Sequence, residues 1–197
     1  MGDLSHPALS GAKGRKMSLP DLFPSLFRYK AWADEELHAL AAALDGDAHP
    51  DKRHLAIRIL NHIHVVDRIF AGNLTGRPHG YAGTNTPGTP EAAELLAAVR
   101  ETDAWYIGYA SGLSEAELAE DLDFTFTDGG HGRMSRAEML MQVITHGGYH
   151  RGAVGRILAE CGLQPPRDIY PASCTTASHL AERPAELWQL LHMKRYG

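Results

Sequence analysis

The sequence has few cysteines and no long hydrophobic run. Only two of its 197 residues are cysteines, Cys161 and Cys174, and they form no C-x-x-C pair. This pattern excludes a disulfide framework, so we expect a protein of the reducing cytoplasm. No segment approaches the roughly 18 consecutive apolar residues of a membrane-spanning helix. Residues 1–17 also lack the apolar core of a signal peptide, so we expect no membrane partner.

An excess of positive charge is also missing. The chain has 19 Lys and Arg residues against 24 Asp and Glu residues, which gives a formal net charge of −5. Nucleic-acid binding usually needs a clustered basic face, so we expect no nucleic-acid partner. The length and the hydrophobic content of 44% predict one globular domain that can bury its own core. We divide the chain into a flexible leader, residues 1–17, and a single domain, residues 18–197.

Apolar residues recur at spacings of three and four over four long segments, which predicts four amphipathic helices. These helices cover approximately residues 18–46, 51–73, 90–112 and 135–161. Residues 121–127 instead alternate between apolar and polar side chains, and Asp128-Gly129-Gly130 is a turn signal, so we predict a β-hairpin with its return strand at 131–134. The predicted fold is all-α, a four-helix bundle with a small β-hairpin before the last bundle helix. A short helix over residues 182–192 is also expected.

Local signals predict the ends and the apolar sides of these helices. Thr89 followed by Pro90 predicts the start of the third helix, and Ser135 with Glu138 forms a capping-box pattern before the fourth. Gly162 predicts the end of the fourth helix. In the second helix, the residues at the predicted apolar seam are Leu55, Ile59, His62, Val66 and Ile69.

Histidine is the abundant residue, with 12 in the chain. We interpret the histidines in loops and on charged helix flanks, including His38, as solvated surface residues. Three others differ. His62 lies in the apolar seam of the second helix, and His146 and His150 share the seam of the fourth.

The spacing of these three histidines favours two interpretations. Four residues along a helix bring His146 and His150 onto one face, about 6 Å apart along the axis, as in the H-x-x-x-H pairs of zinc enzymes. A buried imidazole without a partner costs about 1–3 kcal/mol, and one divalent ion would satisfy a nitrogen on all three rings at once. Alternatively, each ring is an ordinary core histidine with its own hydrogen-bond partner. On spacing alone, both interpretations stand.

Four blocks of the sequence resemble the DinB/YfiT-like family, in the family's order from about residue 19 to residue 170. The blocks are Tyr29–Glu35, Asn61–Phe70, Thr145–Ala153 and Gly162–Asp168. The resemblance implies a four-helix bundle of up-down-down-up or similar order that holds one divalent metal ion, usually zinc or nickel, through three histidines. Carried over by motif, the implied ligands are His62, His146 and His150.

The sequence departs from the family pattern at three positions. His64 stands where the family more often has an apolar residue. Because two residues along a helix turn by about 200°, His64 cannot share the seam with His62, and we interpret it as outward-facing or as a support behind the ligands. Ala153 and Phe70 replace a frequent Gln and a frequent Trp, which leaves the type of substrate open.

Two charged residues near the histidines are candidates for supporting or substrate-binding roles. Asp67 is turned about 140° away from His62, so a direct bond to the metal is not expected. Arg151 adjoins His150 and could pair with Asp67 or bind an anionic substrate. The alternative for both is a solvated or interhelical ion pair.

An ion held by three neutral imidazoles keeps at least one coordination position open, and such a site can lower the pKa of bound water to about 7 or bind a thiolate. The resemblance therefore implies a metal-dependent enzyme of the thiol-transferase type, an S-transferase or isomerase, with a small-molecule substrate and a low-molecular-weight thiol as partners. The alternatives are a metal-dependent hydrolase and a non-catalytic metal-binding protein of the stress response. A cavity that reaches the metal would favour an enzyme. No residue is assigned as catalytic, and an apolar helix face could support a homodimer.

Overall fold

Four long helices and one hairpin form the part of the chain that the structure, a computed structural model, describes: residues 17–171. The elements are α1 (Leu19–Ala43), α2 (Pro50–Thr75), α3 (Ala92–Ser111), the single-turn α4 (Glu115–Leu118), β1 (Asp121–Thr125), β2 (His131–Ser135) and α5 (Arg136–Glu160). The predicted helical fold with a hairpin before the last helix is confirmed. The predicted leader, except for its last residue, and the predicted helix over 182–192 lie outside the described residues.

Capping explains where α5 begins, and a backbone contact corrects the start of α3. The Ser135 hydroxyl accepts from the Glu138 N–H at 3.2 Å, while the Glu138 carboxylate accepts from the Ser135 N–H at 2.7 Å, so the predicted capping box is present. The predicted start of α3 at Thr89 and Pro90 is wrong by two residues. The Leu95 N–H donates to the carbonyl of Glu91 at 3.0 Å, which makes Glu91 the residue that caps the helix.

The four long helices pack in a ring with α1 and α2 at opposite corners. Each of these two helices packs mainly against α3 and α5. Successive contacts show that α1 is parallel to α5 and that α2 is parallel to α3. They also show that α1 is antiparallel to α3 and that α2 is antiparallel to α5. The helices therefore have the up-down-down-up order.

A polar layer divides the hydrophobic core into two parts. One part lies toward the hairpin and contains Phe27, Phe70 and Tyr106; the other lies at the far end of the bundle and contains Leu37 and Leu60. Every long helix contributes a buried charged side chain to the layer between them. These residues are Lys30, Asp34, Asp67, Asp103 and Arg151. The layer lies at the level of the predicted site.

The apolar seam predicted for α2 is partly wrong. Leu55 is 47% exposed, whereas Ile57 and Leu60 are buried. Because α2 packs against both α3 and α5, its buried face is broader than one seam and centres on a different line of residues. The helix still turns His62 toward α5. None of the described helices combines the length and apolar character that a membrane crossing requires.

Candidate metal centre

The structure brings His62, His146 and His150 together on the facing sides of α2 and α5. One ring nitrogen from each residue lies within 4.8 Å of the other two. The ring centroids are 4.5 to 4.9 Å apart, and the rings are tilted against one another rather than stacked. The four-residue spacing on α5 presents two rings, and the neighbouring helix supplies the third. The cluster is therefore the one that the sequence predicts.

The backbone carbonyl of Thr84 determines which nitrogen of His62 faces the cluster. His62 Nδ1 lies 2.7 Å from this oxygen. Because a carbonyl only accepts hydrogen bonds, Nδ1 must carry the proton, and the Nε2 of the neutral ring must carry a lone pair. His62 Nε2 lies 3.0 Å from His146 Nε2. A lone pair of His62 is therefore directed at the centre of the cluster.

The other two rings favour the neutral form that a metal ligand needs. Burial, followed by the proximity of His150 and His62, lowers the pKa of His146 to about 4. Burial and the proximity of His62 also lower the pKa of His150. His146 Nδ1 is buried and has no hydrogen-bond partner among the described residues. At neutral pH both rings are therefore uncharged, and each has a lone pair on one of its two ring nitrogens.

The three imidazoles are donors that suit a divalent ion of the zinc type, and one of their separations matches a shared ion. Nitrogens bonded to one ion at about 2.1 Å are separated by about 3 to 3.5 Å, close to the 3.0 Å between the Nε2 atoms of His62 and His146. Imidazole nitrogens suit zinc, copper, iron and nickel. Within residues 17–171 the cluster includes no fourth side-chain ligand. All three rings are partly exposed, and the neighbouring Tyr149 is 79% exposed, so the cluster opens toward solvent.

Asp67 is part of the polar layer and does not belong to the histidine cluster. Its carboxylate lies 2.8 Å from Nζ of Lys30, which also lies 2.7 Å from Asp34 and 2.7 Å from Asp103. Lys30 is fully buried. Burial raises the pKa of Asp67 to about 6 and that of Asp103 to about 7, although the Lys30 ammonium opposes both changes. Three carboxylates from three helices thus share one ammonium group.

Arg151 is the second cation of this layer. It lies 3.1 Å from Asp34 and 2.7 Å from Asp168, and Asp168 also accepts a hydrogen bond from the Tyr29 hydroxyl. The pairing with Asp67 that the sequence suggested is not the one observed. The interhelical ion pair considered as an alternative is present. Burial opposes ionisation of Asp34, but the adjacent Lys30 and Arg151 hold its pKa at about 2.

Two further histidines lie near the polar layer but outside the cluster. His64 is partly buried, its Nδ1 has no hydrogen-bond partner among the described residues, and burial, followed by the charges of Arg68 and Lys30, lowers its pKa to about 4. The surface assignment of His38 is wrong, since this residue is only 5% exposed. It lies one helical turn beyond Asp34, on the side of α1 that faces the bundle. Burial lowers the pKa of His38 to about 4, although Asp34 opposes the change.

Sequence reasoning missed Lys30, Asp34 and Asp103. A signal for the first two was available, because Lys30 and Asp34 lie at the same helical spacing as Phe27 and Leu37, the buried residues before and after them on α1. Charged residues at core spacing indicate a buried ion pair. Asp103 has a similar position on α3, between the buried Val99 and Tyr106.

Two cavities lie elsewhere in the described structure. One, of about 330 Å³, lies between α1 and α5 and is lined by Arg151, Gly155 and Pro165 among others. The other, of about 300 Å³, lies beside Pro50 and His54. Neither is lined by the three histidines. These cavities therefore do not favour an enzyme over a non-catalytic metal-binding protein.

The fold and the cluster define a four-helix-bundle protein in which three histidines from two helices can hold a metal ion. The chain belongs to the DinB family, whose family model matches residues 16–184. The resemblance seen in the sequence is thereby confirmed. No curated protein matches the chain.

Proposed function

We propose that His62, His146 and His150 bind one divalent metal ion, zinc or nickel. The observation that carries this proposal is the convergence of three ring nitrogens within 4.8 Å. Two chemical features support it. The Thr84 carbonyl favours the tautomer of His62 with its proton on Nδ1 and its lone pair on Nε2, and the lowered pKa values favour the neutral forms of His146 and His150.

We propose further that the protein is a cytoplasmic metal-dependent enzyme of the thiol-transferase type. The bound ion would supply Lewis-acid chemistry, lowering the pKa of a thiol or of water. Three neutral ligands support this role because they leave the positive charge of the ion uncompensated. Membership of the DinB family also supports it, through the resemblance of this family to enzymes that use low-molecular-weight thiols.

The contacts of Arg151 argue against its binding an anionic substrate. Its guanidinium already donates to Asp34 and Asp168, and it is 2% exposed. We therefore propose that Arg151 ties α5 to α1 and to the segment that contains Asp168, instead of binding an anionic substrate. The exposed Tyr149, whose ring lies 5.0 Å from that of His150, is the side chain in position to contact a bound substrate.

Metal analysis of three proteins tests the ligand assignment. Wild type is expected to hold about one ion per chain and His146→Ala to hold none, with the far-UV circular dichroism unchanged. His54→Ala is the control, because this exposed histidine lies on α2, the helix of His62, but outside the cluster. Full metal content in His146→Ala would refute the assignment.

A screen of thiols against electrophiles, and of simple esters and amides, tests the enzymatic part. Turnover of a thiol and an electrophile by wild type and His54→Ala, with loss in His146→Ala, is the expected result. Metal-dependent hydrolysis without thiol transfer would identify a hydrolase instead. Full metal content without any turnover would support the non-catalytic alternative.

A further inference from the structure

The segment Thr84–Gly88, between α2 and α3, is held in place by polar contacts. None of its five residues is buried. Hydrophobic packing therefore contributes little to its position. The contacts that fix Asn85, Thr86 and Gly88 come from the side chains of Arg58 and Asn61 and from the backbone carbonyl of Arg58.

Asn61 is the centre of these contacts. It is 2% exposed, and its Nδ2 donates to the Thr86 hydroxyl at 2.7 Å and to Oδ1 of Asn85. Since an amide nitrogen carries two protons, both donors of Asn61 are used on this segment. Asn85 Nδ2 in turn donates to the backbone carbonyl of Arg58 at 3.1 Å.

Arg58 closes the network from the preceding turn of α2. Its Nη1 donates to the carbonyls of Thr86 at 2.7 Å and Gly88 at 3.0 Å. The Thr86 N–H donates to Asn85 Oδ1 at 3.1 Å. Side chains and one backbone carbonyl of α2 thus bind this segment at several points, which gives the segment a defined position along the helix.

The position of the segment along α2 determines the hydrogen bond that the segment makes with His62, one of the three candidate metal ligands. Thr84 immediately precedes Asn85, and its carbonyl accepts from His62 Nδ1 at 2.7 Å. Asn61 immediately precedes His62 on the helix. Two consecutive residues of α2, Asn61 and His62, therefore bind two consecutive residues of the segment, Asn85 and Thr84.

We propose that Asn61 and Asn85 are positioning residues that fix the tautomer of His62. They hold the Thr84 carbonyl against Nδ1, which keeps the proton on Nδ1 and the lone pair on Nε2, on the side of His146. The effect on metal affinity rests on the proposed function. The effect on the tautomer does not, because it concerns the protein without metal.

Asn61→Ala and Asn85→Ala test this inference, with Asn73→Ala as the matched control. Asn73 is a partly buried asparagine of the same helix, and no side-chain hydrogen bond of it is found among the described residues. The first measurement is a long-range ¹H–¹⁵N spectrum of metal-free protein above pH 7, with the His62 signals assigned by comparison with His62→Gln. Wild type and the control are expected to show the Nδ1–H form, and the two test variants a mixture of tautomers.

The second measurement is zinc affinity by competition with a chromophoric chelator. Loss of an outer hydrogen-bond partner of a ligand typically weakens metal binding about 10–100-fold, and we expect an increase in Kd of this size in both test variants but not in the control. The Asn85 side chain lies in a partly exposed segment, so Asn85→Ala carries the test if Asn61→Ala does not fold.

Wild-type tautomer and wild-type affinity in Asn85→Ala would overturn the inference. Absence of zinc binding in wild type, together with the expected change of tautomer, would refute the proposed function and leave the positioning role intact. Zinc binding by wild type without any change of tautomer in the variants would refute the positioning role and leave the proposed function intact.

Discussion

Replacing Lys30 with methionine removes the ammonium group that three buried carboxylates share. Methionine is unbranched and flexible, so it can fill the space of the lysine stem, and the main change is electrostatic. Arg151, 3.1 Å from Asp34, still compensates that carboxylate. Asp67 and Asp103 lose the cation that lies within 3 Å of each.

The loss of stability in Lys30→Met depends on two opposing effects, the attraction between the charges and the cost of removing them from water. At an effective dielectric constant of about 20, each contact of 2.7 Å corresponds to about 6 kcal/mol of attraction, and the desolvation of four charged groups offsets most of the total. Removing one partner of a buried ion pair typically costs about 3–5 kcal/mol, which we expect for Lys30→Met at pH 7. This is a large part of the stability of a domain, about 5–15 kcal/mol.

The cost is expected to shrink in acid. Lys30 opposes the rise in the pKa values of Asp67 and Asp103, so its loss raises both further above their unfolded values near 3.8. The folded variant then binds more protons than its unfolded chain, and its stability increases as the pH falls toward 4. In wild type, Asp34, with a pKa of about 2, takes up no proton in this range, and Asp67 and Asp103 take up their protons at lower pH than in the variant, so wild type gains less stability. The difference between wild type and variant therefore narrows from pH 7 to pH 5.

Urea unfolding followed by circular dichroism at pH 7 and pH 5 measures this difference. The triple variant Lys30→Met/Asp67→Asn/Asp103→Asn is the companion, since it removes the cation together with the two carboxylates that depend on it. We expect it to be more stable than Lys30→Met at pH 7. A cost below about 1 kcal/mol, or a cost that is equal at both pH values, would refute the electrostatic reasoning.

Three other perturbations are expected to have measurable effects. In wild type, burial lowers the pKa of His38 from 6.5 to about 4, so the unfolded chain alone binds a proton at this residue between these values, which costs up to about 1.4 kcal/mol of stability for each pH unit of acidification. His38→Gln removes this cost, so acidification should lower its stability less, or raise it more, than that of wild type in urea titrations at pH 7, 6 and 5; equal slopes would contradict the assignment. Gly132→Ala should destabilise the protein by about 1–3 kcal/mol in thermal unfolding, because the new Cβ would lie 2.8 Å from Cε2 of Phe124, whereas Gly83→Ala meets no neighbour and should be neutral. Zinc at 100 times its Kd should stabilise wild type by about 2.7 kcal/mol, and a chelator should remove this gain; an equal gain in His146→Ala would contradict the ligand assignment.

The helices and the hairpin could be predicted from the sequence because each has a local pattern. The repeat of apolar residues marks the helices, and the alternation before Asp128-Gly129-Gly130 marks the hairpin. The order of the helices around the bundle has no such local pattern, and it was available only through the family resemblance. The seam of α2 was misplaced at Leu55 because contact with two neighbouring helices cannot be deduced from one periodicity.

The site was predictable where side chains carry it. Helical spacing singled out His62, His146 and His150 as histidines at apolar positions, and the family resemblance favoured one shared ion over three separate core residues. The Lys30 contacts were missed because charged side chains on a helix are normally assigned to solvent. The role of the Thr84 carbonyl could not be predicted at all, because every residue has a backbone carbonyl and the type of residue does not indicate what this oxygen binds.

The separation of His62 from His146 along the chain sets a time for assembly during synthesis. The two residues are 84 positions apart, and α5 is the last long helix among the described residues. At about 5–20 residues per second, a ribosome needs roughly 4–17 s to pass from the first histidine to the second. For that interval the nascent chain contains His62 without the two histidines of α5. An ion held as we propose would therefore have to wait until the final helix has emerged and docked.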